Sequence, residues 1–356
     1  MNSYAVYPIP GKIHGPPYLE LLYGEVAGDD GEGAEFKIRA FGWQKLLFGK
    51  LPKEERHIVH IHWPTNIYGS KYAVVSIIRI LARFPALWIM KLRGVKIVWT
   101  WHNMHSHDYP HPWIDDLGQF LTYHTADKVV IQEKTFAASE RARRRTGKIA
   151  AVPPGNYIGV YGPVWEGDRD KLRKKFGVKK NEIVLLAIGS IRPYKALPQI
   201  IESVRRAKAK GAHIRLLIAG KASPEYAKVI DDKIGSDKAI TMYSEYIPDE
   251  RIPEFLAMTD YTIGYYSETA LGSAAIMLSL SYGTPVITRD FPASELVTRG
   301  LGGFIFHDDE ELVGTLTTLR YPEVDKDVVI GTVKSQDWKS AGKRLRNVYK
   351  KLWSNK

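Results

Sequence analysis

The chain has 356 residues, no cysteine and a formal net charge of +12. Its length favours two domains, and the missing thiols exclude disulfides, zinc–thiolate sites and a thiol nucleophile. The positive charge favours an anionic partner, but the sequence carries no nucleic-acid-binding motif, so we expect anionic lipid or a phosphorylated small molecule rather than nucleic acid. The cysteine-free composition is also typical of thermophilic sources.

The first predicted element is a short strand over residues 4–9. No basic segment precedes an apolar run here, so we expect no signal peptide and a cytoplasmic protein. A Gly/Pro loop follows the strand, and a helix begins at Tyr18. Loops that follow the strands of a βα chain lie at the ligand-binding edge of the sheet, so the segment from Gly11 to Tyr18 is a candidate binding loop.

A long apolar helix is predicted over residues 71–91. Arg79, Arg83 and Pro85 interrupt it, which makes it a poor membrane-spanning segment. Two interpretations stay open: a core helix with a solvated basic edge, or a face that rests on anionic lipid headgroups. A second basic helix, predicted over residues 133–145, also favours peripheral contact with an anionic membrane.

Histidines gather in the first half of the chain, where eight of the eleven lie between His57 and His124. A strand predicted over residues 94–101 leads into His102, His105 and His107. A metal site is one interpretation, although a loop without helical register and without cysteine is a poor ligand set. A polar pocket for sugar and phosphate is favoured, because imidazole can donate, accept and transfer a proton near neutral pH. A structural role at a domain hinge is the third interpretation.

A Pro/Gly segment at residues 153–156 indicates a domain boundary, after which βα alternation begins again. We therefore predict an α/β protein with two doubly wound, Rossmann-like domains that face a cleft. The predicted domains are residues 1–157 and 158–337. Residues 338–356 are predicted to form an amphipathic C-terminal helix that packs on a domain surface, for which the first domain is the candidate.

The most informative turn of the second half follows an apolar strand at residues 183–188. The strand ends at Gly189 and Ser190, and a helix begins near Pro198. Such a turn offers backbone N–H groups and the positive end of a helix dipole, and here it also carries Arg192 and Lys195. It is either a phosphate-binding loop or an ordinary βα loop with solvated charges.

Four segments together resemble the nucleotide-sugar-dependent glycosyltransferases of family 4, which have the GT-B fold. Gly189-Ser-Ile-Arg-Pro-Tyr-Lys195 resembles the family's diphosphate loop, and Leu217-Ile-Ala-Gly220 resembles its next strand. Ser281-Tyr-Gly-Thr-Pro-Val-Ile287 resembles the segment behind the donor site. Val98-Trp-Thr-Trp-His-Asn103 resembles the strand whose terminal histidine faces the transferred sugar. Three further segments are similar to exopolysaccharide β-mannosyltransferases: Pro17-Tyr-Leu-Glu-Leu-Leu-Tyr23, His60-Ile-His-Trp-Pro64 and Gly155-Asn-Tyr-Ile-Gly-Val160.

One departure from the family pattern concerns its two glutamates, which stand eight positions apart. Ala270 and Leu278 occupy these places here, and Glu268 is out of register. The second glutamate commonly holds the donor ribose, so that contact cannot be carried over. The departure weakens the case for the family's retaining mechanism and favours an inverting one, with GDP-mannose ahead of UDP-sugars as donor.

The resemblance implies transfer of a hexosyl group to a glycan or lipid-linked hydroxyl, without a metal or cofactor. An inverting enzyme needs a base near that hydroxyl, for which Asp108 is our first candidate and His102 the second. The donor candidates are Gly189, Ser190, Arg192, Lys195, Gly272 and Ser273. The acceptor candidates are Gly11, Tyr18, His62, Trp63, Asn103 and His107. A nucleotide-sugar epimerase of the same fold and a non-catalytic module that binds polyanions or membranes are the alternatives.

Overall fold

The computed structural model describes residues 2–11, 17–106, 109–132, 148–266, 273–297 and 303–354. The chain divides into two compact units. The first combines Met1–Gly155 with Gln336–Lys356, and the second is Asn156–Ser335. These limits lie within two residues of the boundaries that the sequence predicts.

The first unit contains a seven-stranded sheet with the order β2-β3-β1-β4-β5-β6-β7. The strands are β1 (Asn2–Ile9), β2 (Gly28–Asp29), β3 (Ala34–Ile38), β4 (Glu55–Ile61), β5 (Lys96–Trp101), β6 (Lys128–Ile131) and β7 (Ile149–Ala151). All neighbouring pairs are parallel except β2 and β3. The central strands are apolar runs buried on both faces, as expected of a parallel sheet covered by helices.

The helices of this unit are α1 (Tyr18–Val26), α2 (Trp43–Phe48), α3 (Thr65–Tyr68), α4 (Ala73–Leu92), α5 (Pro112–Thr125) and the last helix of the chain, Trp338–Lys351, which is α13 in chain order. Helix α13 packs on α1. A Cβ atom on Gly342 would lie 2.9 Å from the Glu25 carbonyl oxygen, so the two backbones approach as only glycine allows. The predicted C-terminal helix is thus an integral part of the first unit.

The second unit contains a six-stranded, fully parallel sheet with the order β10-β9-β8-β11-β12-β13. Its strands are β8 (Ile183–Ile188), β9 (Ile214–Ala219), β10 (Ile240–Tyr243), β11 (Tyr261–Gly264), β12 (Val286–Arg289) and β13 (Phe304–Phe306). Its helices are α6 (Arg169–Lys175), α7 (Leu197–Ala209), α8 (Pro224–Ile234), α9 (Ile252–Met258), α10 (Ala274–Ser281), α11 (Asp309–Thr318) and α12 (Lys326–Gly331). The two parallel-sheet units confirm the predicted fold class.

Each sheet has one point at which the strand order reverses. In the first unit this switch point lies between β1 and β4, and in the second between β8 and β11. Open parallel sheets bind ligands at the carboxyl ends of the strands beside a switch point. The residues that follow these four strands are therefore the primary candidates for binding.

Three differences from the predicted elements have local causes. Residues 65–70, expected as a loop, contain the one-turn helix α3, because Pro64 directs the chain into a helical turn. The helix predicted over residues 248–258 divides into a 3₁₀ turn, Asp249–Arg251, and α9. Elements β13, α11 and α12 lie where no element was predicted. The basic helix expected at residues 133–145 falls outside the described residues.

Helix α4 is long and apolar enough to cross a membrane, judged by length and composition alone. A buried core helix can also meet both criteria, so the interpretation of α4 as a poor spanning segment stays a prediction. In the structure, Ile80, Phe84, Leu87 and Met90 are buried on one face, so α4 also serves as a core helix of the first unit.

Candidate functional site

The donor-side candidates begin where β8 ends, at the switch point of the second sheet. Gly189 has φ +97°, and Gly220, which follows β9, has φ +149°. A Cβ atom on Gly220 would lie 2.2 Å from the Gly189 carbonyl oxygen. Glycine at both positions lets the two strand ends approach and leaves backbone, rather than side chains, at this edge.

Lys195 folds back over the end of β8. Its Nζ donates a hydrogen bond to the Ile188 carbonyl oxygen at 2.9 Å, and burial lowers the pKa of this amine to about 8. The next residue, Ala196, has φ +46° and immediately precedes α7. A left-handed alanine costs free energy, so the rest of the turn must hold it there, as is common where a site is pre-organised.

The other donor candidates differ in position. Ser190 is exposed and Arg192 is half-buried in the same turn as Lys195. Ser273 stands at the start of α10, where its Oγ accepts from the Ile276 N–H at 3.3 Å and donates to the Tyr266 hydroxyl at 2.6 Å. Its hydroxyl therefore caps the helix and orients Tyr266. Gly272 lies outside the described residues.

On the first sheet, four predicted residues form an aromatic cluster beside the switch point. The rings of Trp63 and His102 are stacked with centroids 4.6 Å apart. The Tyr18 ring meets His102 at 5.3 Å and His62 at 5.8 Å, in both cases edge-on. A stacked, half-buried indole with polar neighbours is chemically suited to bind the face of a sugar ring.

Two further acceptor candidates, Gly11 and Asn103, also follow strands of the first sheet. Gly11 is exposed just after β1, and half-buried Asn103 follows His102 at the end of β5. Asp108 and His107, the first base candidate and an acceptor candidate, lie outside the described residues.

The histidines at this edge form hydrogen bonds within the unit. His62 Nδ1 lies 3.2 Å from His102 Nε2, and His102 Nδ1 lies 3.2 Å from the Gln132 Oε1. Both ring nitrogens of His102 are therefore engaged, so a role as proton acceptor would require one of these bonds to break. This geometry favours His102 as an orienting group over His102 as a base.

The electrostatic state of the cluster is set by burial. Desolvation lowers the pKa of His60 to about 3 and that of His102 to about 4, and it holds the pKa of His62 well below its usual range. All three rings are therefore neutral at pH 7. Among the described residues, no group of three or more His, Cys, Asp or Glu side chains is arranged to hold a metal ion.

The sequence analysis missed four residues that shape this site: Tyr23, Gln132, Trp338 and Tyr349. The Tyr23 hydroxyl lies 2.8 Å from His62 Nε2, and Trp338 meets the Tyr18 ring edge-on at 5.7 Å. The spacing of His60 and His62 at the end of β4 indicates that both side chains share a face, and buried imidazoles need hydrogen-bond partners, but no sequence pattern identifies Tyr23 as that partner. No sequence pattern links Trp338 or Tyr349 to residues so distant in the chain.

Comparison with known proteins assigns the class. Residues 168–319, all within the second unit, match the family model of the group 1 glycosyl transferases. D-inositol 3-phosphate glycosyltransferase of Rhodococcus erythropolis is 26% identical over 347 residues, which cover 89% of this chain and 72% of that enzyme. The enzyme of the same name from Mycobacterium marinum is 27% identical over 208 residues, which cover 54% of this chain but only 43% of its own length.

A solved structure resembles the whole chain. The crystal structure of Anabaena HepE in complex with UDP and glucose superposes with a TM-score of 0.67 at 17% identity, covering 98% of this chain and 99% of HepE. The fold is thus the two-domain fold of GT-B enzymes. The chain is a GT-B glycosyltransferase of the family 4-like kind, as its strand-end motifs predicted.

We predict that Lys195→Ala and Arg192→Ala each weaken binding of a nucleoside diphosphate by about 1.5–3 kcal/mol, the scale of charge-assisted hydrogen bonds. Isothermal titration calorimetry measures the change. Lys210→Ala, which removes an exposed lysine at the end of α7, is the matched control and keeps wild-type affinity. Wild-type affinity in both test variants would contradict the phosphate role of this turn.

We also predict that the first unit loses stability as the pH falls from 7 to 5. The unfolded histidines titrate near 6.5, whereas folded His102 remains neutral until about pH 4, so protons bind to the unfolded state first. Over this pH range the free energy of unfolding falls by about 1–2 kcal/mol for each histidine that the fold holds neutral.

Urea denaturation at pH 5, 6 and 7 measures this loss. The variant His102→Gln weakens the pH dependence, while His213→Gln, which changes an exposed histidine of the second unit, preserves it. An unchanged pH dependence in His102→Gln would show that this ring is not held neutral in the fold.

Proposed function

We propose that the protein transfers a hexosyl group from a nucleoside-diphosphate sugar to a hydroxyl of a glycan or lipid-linked acceptor. The observation that carries the proposal is the turn from Gly189 to Lys195. It lies at the switch point of the second sheet, inside the segment matched by the glycosyltransferase family, and it combines two cations with glycine backbone. The names of its structural neighbours support a nucleotide-sugar donor, since HepE was solved with UDP and glucose.

In the proposed reaction the second unit stabilises the leaving diphosphate. Arg192 and Lys195 place positive charge where negative charge develops, which can substitute for a metal ion. A phosphate beside Lys195 favours its protonated form and opposes the effect of burial on its pKa. We accordingly propose a reaction without a metal or other cofactor. Ser190, Gly272 and Ser273 are proposed to add hydrogen bonds to the diphosphate.

We propose that the first unit binds the acceptor and that the reaction inverts the anomeric centre. Trp63 and His102 offer a flat surface for a sugar, and Tyr18 and His62 border it. Asp108 is the proposed base, since both ring nitrogens of His102 are engaged. Leu278, in the place of the family's second glutamate, is a buried apolar residue of α10 and cannot bind a ribose hydroxyl through its side chain.

Two properties of the proposed donor, its sugar and its nucleobase, are open to direct measurement. The resemblance to β-mannosyltransferases favours GDP-mannose, whereas the structural neighbours named with UDP favour a UDP-sugar. The alternatives are distinguishable: an epimerase converts the donor without an acceptor, and a binding module has no specific nucleotide affinity. A cytoplasmic location and a thermophilic source also remain predictions.

We predict a β-linked product from an α-linked donor, formed equally well in EDTA. Proton NMR of the anomeric centre, with GDP-mannose and UDP-glucose as donors, measures both points. The variant Asp108→Asn lowers kcat by at least the ~10²-fold typical of losing a general base, while donor affinity holds. An α-linked product would indicate retention, and activity lost in EDTA but restored by Mn²⁺ would indicate a metal.

We further propose that the acceptor is presented at a membrane, because α4 exposes a continuous apolar stripe. Val74, Ile78, Leu81, Trp88 and Leu92 follow one another at intervals of four, three, seven and four residues. They therefore lie on one side of the helix, and Leu81 is 70% exposed. Buried residues of the same helix occupy the opposite side. A monomer rarely exposes such a run of large apolar side chains unless a membrane or a partner covers it.

Three basic residues of α4 do not form the solvated basic edge that the sequence suggested. Arg79 donates to the Gly69 carbonyl oxygen, Arg83 to that of Ile67 at 2.5 Å and Lys91 to that of Thr125 at 2.7 Å. They therefore tie α4 to its neighbours. Apolar insertion accordingly contributes more to the proposed membrane contact than these cations do, and the net charge of +12 adds a long-range preference for anionic lipid.

We predict that the protein sediments with vesicles containing phosphatidylglycerol more than with neutral vesicles, and that Ile78→Ser with Leu81→Asp reduces binding at least about tenfold. Val229→Asp, on half-exposed α8 of the second unit, is the matched control and leaves binding unchanged. Equal sedimentation with both vesicle types would contradict an anionic preference. A stable dimer that the double variant dissociates would instead assign the stripe to a second copy of the chain.

A further inference from the structure

A continuous chain of hydrogen bonds runs from the C-terminal helix to His102. The Tyr349 hydroxyl of α13 lies 2.6 Å from His60 Nδ1, and the Tyr23 hydroxyl of α1 lies 2.9 Å from the same nitrogen. Tyr23 continues to His62 Nε2 at 2.8 Å. His62 then reaches His102, as described above. The buried part of this chain uses side chains from two helices and the sheet.

Each hydrogen bond between Gln132 and Tyr23 along this chain has a defined donor and a defined acceptor. The Gln132 Oε1 can only accept, so His102 carries its proton on Nδ1 and its Nε2 is an acceptor. His62 must then donate from Nδ1, which leaves its Nε2 to accept from the Tyr23 hydroxyl. The Tyr23 oxygen is in turn free to accept from His60 Nδ1 or from Tyr349, to which it is also hydrogen-bonded.

Neutrality is a condition for this arrangement, because a histidine protonated on both nitrogens could only donate. Burial keeps all three rings neutral and also raises the pKa of Tyr23 and Tyr349. Among the described residues, the groups that face the rings are uncharged as well: Thr100 on β5 at 2.8 Å from His60 Nε2, Tyr18 on α1, and Gln132 after β6. The network therefore specifies one tautomer for His62 and one for His102.

We propose that Tyr23 and Tyr349 are positioning residues that hold His62 as the Nδ1–H tautomer and thereby fix the ring of His102 in the acceptor site. The inference rests on the proposed function, in which His102 orients the sugar beside Trp63. It assigns the C-terminal helix a part in the reaction through the hydroxyl of Tyr349. Removing the Tyr23 phenol takes the donor from His62 Nε2 directly, and removing the Tyr349 phenol leaves the Tyr23 hydroxyl able to donate to His60 Nδ1 instead of to His62. In either case His62 can change tautomer, and His102 then loses the partner that fixes its plane.

The test uses Tyr23→Phe and Tyr349→Phe, which delete only a hydroxyl. Tyr7→Phe is the matched control: Tyr7 is equally buried and its hydroxyl lies 3.2 Å from His57 Nδ1 in the same sheet, but this pair has no link to His102. We expect kcat to fall about tenfold in both test variants, with the donor KM within about twofold of wild type. The control keeps both constants.

A spectroscopic measurement separates positioning from general destabilisation. With ring-¹⁵N histidine, the long-range ¹H–¹⁵N correlation of His102, identified by its loss in His102→Gln, shows the Nδ1–H tautomer in the wild-type protein and a mixture in the two Phe variants. Gln132→Met removes the acceptor at the other end of the chain. We expect this variant to show the same mixture of His102 tautomers, so it provides the test if a Phe variant fails to fold.

The proposed function and the positioning role of the two tyrosines would be contradicted by different results. If no donor is turned over, the proposed function fails, while the tautomer measurement still reports on the network. If transfer occurs but the Phe variants retain wild-type kcat, or if the His102 spectrum is unchanged in them and in Gln132→Met, the positioning role is overturned.

Discussion

The ligand-binding edge of the first sheet depends on the packing of α13 against α1. Arg346 donates to the carbonyl oxygens of Glu25 at 2.7 Å and of Val26 at 3.1 Å, which are among the last of α1 and have no partner within the helix. Lys350 adds an ion pair to Glu32 at 2.9 Å. Since α1 carries Tyr18 and Tyr23, the contacts of these two rings with His62 and His102 depend on where α13 places this helix.

Much of the fold could be predicted from local patterns. Strand β8 is an uninterrupted apolar run, and it has the predicted limits, residues 183–188. The short elements β2 and α2 could not be predicted, because two to six residues carry too little periodicity to separate a strand or helix from a turn.

The candidate site was predictable to a different extent in each unit. The turn from Gly189 to Lys195 is local, so its residues could be recognised together from the sequence. The acceptor cluster is assembled from separate strands and helices, and Tyr349 lies 289 residues from His60 along the chain. Charge was the least reliable guide, since Arg79, Arg83 and Lys91 bind backbone carbonyls rather than facing outward as a basic edge.

The order of the units along the chain has a consequence for synthesis on the ribosome. The first unit is discontinuous in sequence, because its helix α13 is translated after the whole of the second unit. The second unit is complete in sequence while the nascent first unit still lacks the partner of α1, so the second can finish folding first, the reverse of the usual N-to-C order of domain folding. Until α13 has emerged, the face of α1 that receives it is uncovered, and a chain that stalls before α13 exposes a surface that chaperones can recognise.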